Sequence, residues 1–312
     1  MKKEKGIFII FIVLCSVVSI GNPNFLSAAN LQNTTRLIGI FGIFSIGSGI
    51  VIITRGIDLS VGSIFALEGV LLSMLLVSQK IAWPIAVMTV LLLTLAIGWC
   101  HGIMISKLKI QPFIITLCGL LVYRGLARFF SNDITMGFGY GEGFTALQRL
   151  ATGNLFGVPS PFILLLVVGA AAWVFLHRSV YGRYLFAVGQ NEEAAFFSGI
   201  NVKRMLLAAY IISALLAGIA GILLAFYTNA IAPSSHGNFY ELYGIAAAVL
   251  GGCSLRGGEG SIIGIVLGAA MLQVIQNLVN LLGIPSSLNF AVMGVVILTG
   301  VLADKFIRRN KY

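Results

Sequence analysis

Residues 37–78 read LIGIFGIFSIGSGIVII, then TRGIDLS, then VGSIFALEGVLLSMLLVS. Two apolar runs of 17 and 18 residues are parted by seven residues that hold one arginine and one aspartate. A helix needs about 20 residues to cross the hydrocarbon core of a bilayer, so the pair predicts two spans joined by a tight turn. That turn either reaches water through Arg55 or dips back into the protein. Outward from this pair lie eight further apolar stretches, at 7–21, 82–105, 112–130, 161–177, 205–227, 240–254, 261–282 and 286–303. The pattern predicts an all-α, polytopic membrane protein of about ten transmembrane helices, with eight or nine as the alternatives. The whole of residues 1–312 reads as one transmembrane domain. The first and eighth stretches are short, and 240–254 reads as a tilted or broken helix packed against protein.

Composition agrees. The chain is 58% hydrophobic and 10% charged, with a mean hydropathy of +1.01, which excludes an ordinary soluble domain. Its net charge of +10 would suggest nucleic acid in a soluble chain, but the positions of the charges give a better reason. Fifteen of the 20 lysines and arginines fall in alternate gaps, among them Lys2, Lys3, Lys5, Arg55, Lys107, Lys109, Arg178, Arg183, Lys203, Arg204, Arg256 and Lys305. The other gaps hold only Arg36, Lys80 and Arg149, while Arg124 and Arg128 lie inside a stretch. Positive residues are retained on the cytoplasmic side, so both termini are expected there, in the cell membrane, without nucleic-acid binding. The start Lys2-Lys3-Glu4-Lys5 before Gly6 to Ile20 resembles a signal peptide with Ala28-Ala29 as cleavage residues. A retained first span is favoured, because later gaps alternate correctly only if it is counted.

Catalytic and metal chemistry find no footing in this pattern. The cysteines Cys15, Cys100, Cys118 and Cys253 are scattered without ligand spacing, and so are the three histidines. No phosphate loop ending in Gly-Lys-Ser/Thr is present, nor a Ser/His/Asp set, so no enzyme activity, cofactor or metal is expected. Small residues recur every fourth position at Gly260, Gly264 and Gly268, at Ala214 and Gly218, and at Gly221 and Ala225, which predicts close helix packing.

Two connections carry more. The outer loop 131–160 alternates Gly137, Gly139, Gly141 and Gly143, and reads either as a surface for an external partner or as a flexible loop. Within the inner loop 178–204, Asn191 is a helix cap, Glu192 and Glu193 suit the positive end of the helix dipole, and Gly199 suits a left-handed stop. Ala194, Ala195, Phe196 and Phe197 fill the two turns between. So short a helix is unstable by itself and needs a docking surface.

Polar residues inside the apolar stretches are the remaining candidates. Gln273, Gln276, Asn277 and Asn280 share one helical face; amides of this kind suit uncharged carbohydrate, and equally suit helix-to-helix hydrogen bonding. Arg124 and Arg128 share another face, with Glu68 as a possible partner or proton-linked group. In the turn, Asp58 and Ser60 can cap the following helix, and Gly56 and Gly62 permit sharp bends. A weak echo of 54–63 appears at 251–262, where Gly252 and Gly260 match Gly56 and Gly62.

These residues carry a resemblance. Gly-Ile-Asp-Leu-Ser-Val-Gly-Ser at 56–63 resembles the signature of monosaccharide ABC-importer permeases, the ribose-type family of the branched-chain amino-acid and ribose permease superfamily. Tyr181-Gly182-Arg183, Gly189 to Ala195 and Ser198 to Val202 are similar to that family's cytoplasmic coupling loop. Ala246 through Gly251-Gly252 to Gly258-Glu259-Gly260-Ser261-Ile262-Ile263-Gly264 is similar to its later Gly-rich signature. Arg55 departs from it, since a small residue is expected there. The resemblance implies a type II (BtuC-like) permease architecture and three partners: a cytoplasmic ATP-binding subunit, a second permease subunit in a homo- or heterodimer, and an extracytoplasmic sugar-binding protein. It also implies that Asn191 to Gly199 docks on the ATPase. The competing expectations are a branched-chain amino-acid permease, a self-sufficient secondary transporter using Glu68, Arg124 and Arg128, and a membrane scaffold or receptor component.

Overall fold

The computed structural model describes residues 2–139 and 143–285, with isolated positions between 288 and 298. The stretch 286–303 and the basic residues after it lie outside the described residues. The long helices are α1 (Lys2–Gly21), α2 (Ala28–Ile53), α3 (Val61–Ser73, continued by a π turn over Met74–Ser78), α4 (Trp83–Ser106) and α5 (Pro112–Ser131). Beyond them come α6 (Thr145–Thr152), a two-residue hairpin of β1 (Asn154–Leu155) with β2 (Val158–Pro159), and α7 (Ser160–Trp173, continued by a π turn over Val174–Arg178). The chain then forms α8 (Val180–Gln190), α9 (Glu192–Phe197), α10 (Val202–Thr228), α11 (Tyr240–Leu250) and α12 (Ile262–Leu281).

Local chemistry sets the ends of these helices. Ser27 accepts from the Asn30 amide to start α2, and prolines stand in the first turn of α4, α5 and α7, where a missing N–H costs nothing. Asn132 and Asn229 close α5 and α10 in the left-handed conformation, which asparagine tolerates better than most residues. Among the described residues eight helices are long and apolar enough to cross a membrane. α2 starts nine residues before the apolar run 37–53. Its polar first turns are stabilised by tertiary partners: Asn30 meets Asn277, and Asn33 accepts from the Tyr227 hydroxyl at 2.8 Å.

α2 is the central element. It is buried without a break from Ile38 to Ile53 and packs on α7, α10, α11 and α12. A helix apolar on every face belongs inside protein, not against lipid. α1 lies at the periphery, joined to α12 through Val18, Phe25 and Val274.

The eighth apolar stretch is half a span. α11 rises about 16 Å, half of a hydrocarbon core of roughly 30 Å. Tyr240 at its start stacks near Phe41, Phe44 and Phe65, beside the middle of α2. Just past its end, the Gly258 amide donates to Ile53 O at the end of α2. Residues 229–239 enter from the opposite end, where Ile231 exchanges backbone hydrogen bonds with Met136, and run inward without regular structure to Gly237. The turn 54–60 is its counterpart. Arg55 reaches the surface, while Asp58 and Ser60 are buried as the chain climbs back to α3. The two re-entrant pieces meet where Gly62 faces Gly237; a Cβ on Gly62 would lie 2.1 Å from Gly237 O.

Several expectations are corrected here. Ser60 makes no side-chain cap on α3. Instead, Asp58 Oδ1 accepts from the Ser60 amide and hydroxyl at 3.0 and 2.6 Å, and Asp58 Oδ2 accepts from Ser213 at 3.0 Å. Glu68 pairs with neither arginine: it is buried against Gly218 and Gly221 of α10, with no hydrogen-bond partner on either oxygen. In the outer loop, Phe138 stacks on Phe226 at 4.0 Å.

Candidate coupling surface and translocation elements

One end of the bundle gathers the basic gaps: Arg55, Lys107, Lys109, Arg183 and Arg256, together with α8 and α9. The sequence places a short helix here, and local chemistry makes it. Asn191 Oδ1 accepts from the Ala194 amide at 2.9 Å, Glu192 and Glu193 occupy the first turn, and Gly199 stops the helix at φ 82°. Ala195 is its buried residue, whereas Phe196 and Phe197 are 66% and 85% exposed. Two large apolar rings therefore stand free at this end. Glu192 Oε1 lies 2.5 Å from Lys109 Nζ, which ties α9 to the α4–α5 connection. Both side chains are about half exposed, so the pair contributes at most about 1 kcal/mol and acts mainly on position. α8, ahead of α9, is the element sequence reading missed; Ser179 caps it by accepting from the Gly182 amide at 3.1 Å.

The two signature turns lie side by side at this end. Arg55 Nε donates to Arg256 O at 2.8 Å and its Nη2 donates to Gln190 O. Arg55 has φ 65°, a left-handed conformation that suits a small residue, and its side chain is held by these two carbonyls. Gly56 packs under Tyr210, Gly252 takes φ 88°, and Gly260 lies against Cys253 and Ile53. The echo at 251–262 is therefore a spatial neighbour of 54–63.

Arg124 sits at the meeting point of the re-entrant pieces. Nη1 donates to Pro233 O and His236 O at 3.0 and 2.7 Å, and Nη2 donates to Gly62 O at 3.2 Å. A guanidinium in a span is tolerated when backbone carbonyls take its hydrogens. Nothing in the spacing of residues 112–130 announces this cradle. One turn further on, Arg128 pairs with Asp133, Nη2 to Oδ2 at 2.5 Å. These hydrogen bonds hold the Asp133 carboxyl below its usual pKa.

The amide face of α12 is divided. Asn277 exchanges hydrogen bonds with Asn30, at 3.0 and 2.7 Å. Gln273 is buried and its Nε2 finds no acceptor. Gln276 is half-buried and Asn280 exposed. Among the described residues no cluster of His, Cys, Asp or Glu could hold a metal.

A bundle of apolar spans, entered by two re-entrant pieces that meet in its middle, defines a polytopic all-α permease. The comparisons agree with that class. The family model for the branched-chain amino acid transport system / permease component matches residues 30–301. The ribose import permease protein of Escherichia coli strain K12 is 38% identical over 96% of this chain and 93% of its own. That of Bacillus subtilis strain 168 is 39% identical over 97% and 93%. The D-allose transport system permease protein of Escherichia coli K12 is 32% identical over 97% and 91%. No solved structure matches the chain. The chain belongs to the family of branched-chain amino acid transport system permease components, and is a multi-pass protein of the cell membrane.

Proposed function

We propose that this chain, as one permease domain, is the membrane subunit of an ABC importer for a simple sugar. It performs no chemistry itself; a cytoplasmic ATP-binding subunit hydrolyses ATP. A second permease subunit completes the pathway, and an extracytoplasmic binding protein delivers the sugar. The observation that carries this reading is α9, a capped helix whose Phe196 and Phe197 stand exposed at the basic end. A transporter driven by an ion gradient has no use for such a surface, while a detachable motor needs one. The basic end is then cytoplasmic, in keeping with the retention of positive charge there.

Residues 178–204 are the coupling loop in this scheme, and Asn191, Glu192, Glu193, Ala194, Ala195, Phe196 and Gly199 its docking helix. Residues 131–160 form the extracytoplasmic loop. Gln273, Gln276, Asn277 and Asn280 supply amide donors and acceptors along the sugar's path. The names of the relatives favour a sugar over a branched-chain amino acid.

In proteoliposomes holding the complex and its binding protein, Glu192→Lys places two ammonium groups together at Lys109. We expect this variant to keep its place in the membrane but to lose ATP-coupled uptake about tenfold or more. Uptake that continues in vesicles without the ATPase would overturn the importer reading in favour of a secondary transporter.

A further inference from the structure

At the end of α5 remote from α9, an open surface hollow of about 480 Å³ is lined by Gly125, Arg128, Phe129, Asn132 and Asp133. Its chemistry is mixed in a particular way. Arg128 Nε donates to Asp133 Oδ1 and Oδ2 at 2.9 and 3.1 Å, and Nη2 donates to Oδ2 at 2.5 Å. This engages two of the five guanidinium N–H donors and leaves further carboxylate lone pairs open. Both side chains are about half exposed, 54% and 49%. Asn132, next in the chain, offers an amide that both donates and accepts. Beside these groups Phe129 is 73% exposed, with Phe130 tilted against it at 5.6 Å. Gly125 leaves the floor open, since a Cβ there would meet nothing within 4 Å.

We infer that this hollow is a subsite for an aldose in transit, with Phe129 against its C–H face and the Arg128–Asp133 pair across two neighbouring hydroxyls. A free sugar is uncharged, carries vicinal hydroxyls that donate and accept together, and has one apolar face. A guanidinium–carboxylate pair with spare donors and acceptors satisfies the hydroxyls, and a free aromatic ring satisfies the C–H face. An acyl chain meets none of the spare donors and acceptors of this half-exposed pair, so this turn of α5 lies outside the hydrocarbon or in a polar cleft. The deduction rests on the sugar-importer reading and deepens it.

A second observation ties the hollow to the transport cycle. α5 is fixed at three levels. Beside its first turn Lys109 meets Glu192 of α9; Thr116 Oγ donates to Ile57 O at 3.1 Å; and Arg124 grips Gly62, Pro233 and His236. Arg128 follows Arg124 by one turn. A displacement of α9 therefore reaches the hollow along one helix, through both re-entrant pieces.

The test uses the reconstituted complex with its binding protein, and initial rates of uptake for ribose, allose and xylose at saturating ATP. Wild type must first show ATP-dependent uptake; if it moves sugar without ATP, the parent reading falls and the subsite with it. Asp133→Asn and Phe129→Leu are exposed changes that leave the core untouched. We expect Asp133→Asn to lower uptake of the preferred aldose about tenfold, the loss that one hydrogen bond to a charged group predicts, and Phe129→Leu, which removes the flat ring face, to lower it several-fold. The ranking of the three aldoses should also change, with the half-saturating concentration of loaded binding protein unaltered. An unchanged ranking overturns the subsite, whether uptake is normal or uniformly reduced. So does a raised half-saturating concentration with unchanged ranking, which assigns Arg128 and Asp133 to binding-protein docking.

Discussion

Gly62 has no room for a methyl group. A Cβ there would press on Gly237 O at 2.1 Å and on Glu241 Oε2 at 2.5 Å, where the two re-entrant pieces touch. Backbone cannot give way as the tip of a side chain can, so Gly62→Ala is expected to cost about 1–3 kcal/mol. Gly169→Ala in α7 is the matched control, because its Cβ would meet only Ile46 at 4.0 Å. Thermal unfolding of the two purified variants in detergent checks this: the first should melt well below wild type and the second beside it. Equal melting would mean that the crossing is looser than its geometry says. At this scale the sequence speaks where partners are near in the chain. The Asn191 cap and the Gly199 stop are legible because each bonds within a few residues. The Arg124 cradle is not, since its acceptors come from positions 62, 233 and 236 and are backbone carbonyls that any residue could supply.

At the scale of elements, α12 and α2 are joined by the reciprocal amides of Asn277 and Asn30. Removing Asn277 leaves the Asn30 oxygen without its partner and its Nδ2 with only Phe25 O, at a cost of about 0.6–2 kcal/mol in a membrane. Asn277→Leu should therefore lower both the melting temperature and sugar uptake. Asn30→Leu/Asn277→Leu removes both amides, and should regain part of the melting temperature, the Asn30 bond to Phe25 O being lost as well, while uptake stays low, since the pathway has lost a polar group. Recovery of both would return the stripe to a packing role. Element boundaries were legible in proportion to their apolar contrast. The core of α2 is plain in residues 37–53, but six of its first nine residues are polar and are held by partners on α10 and α12. α8 is harder to read because its buried face, Gly182, Leu185, Val188 and Gly189, is half glycine and its cap, Ser179, is one of many serines. The half-length of α11 was visible in its shortness, whereas the path of 229–239 back into the bundle was not.

For the whole molecule, lysines and arginines gather at the end that bears α8 and α9, while the hairpin of β1 and β2 marks the opposite end. Arg36 there donates to Thr152 O at 2.9 Å, which fixes the start of α2 to the α6 loop. Alternation of charge along the chain makes this division readable before any contact is known, because positive residues are retained on one side of a bilayer. What alternation cannot show is which spans are broken, since a half-helix and a whole one share the same greasy composition. The account depends on α9 facing the compartment that holds ATP. Replace the four cysteines, introduce Phe197→Cys on α9 and, separately, Leu155→Cys on the hairpin, and treat intact cells with a membrane-impermeant maleimide. Leu155→Cys should label at once and Phe197→Cys only after the cells are opened. Labelling of Phe197→Cys in intact cells would contradict the orientation and the importer together.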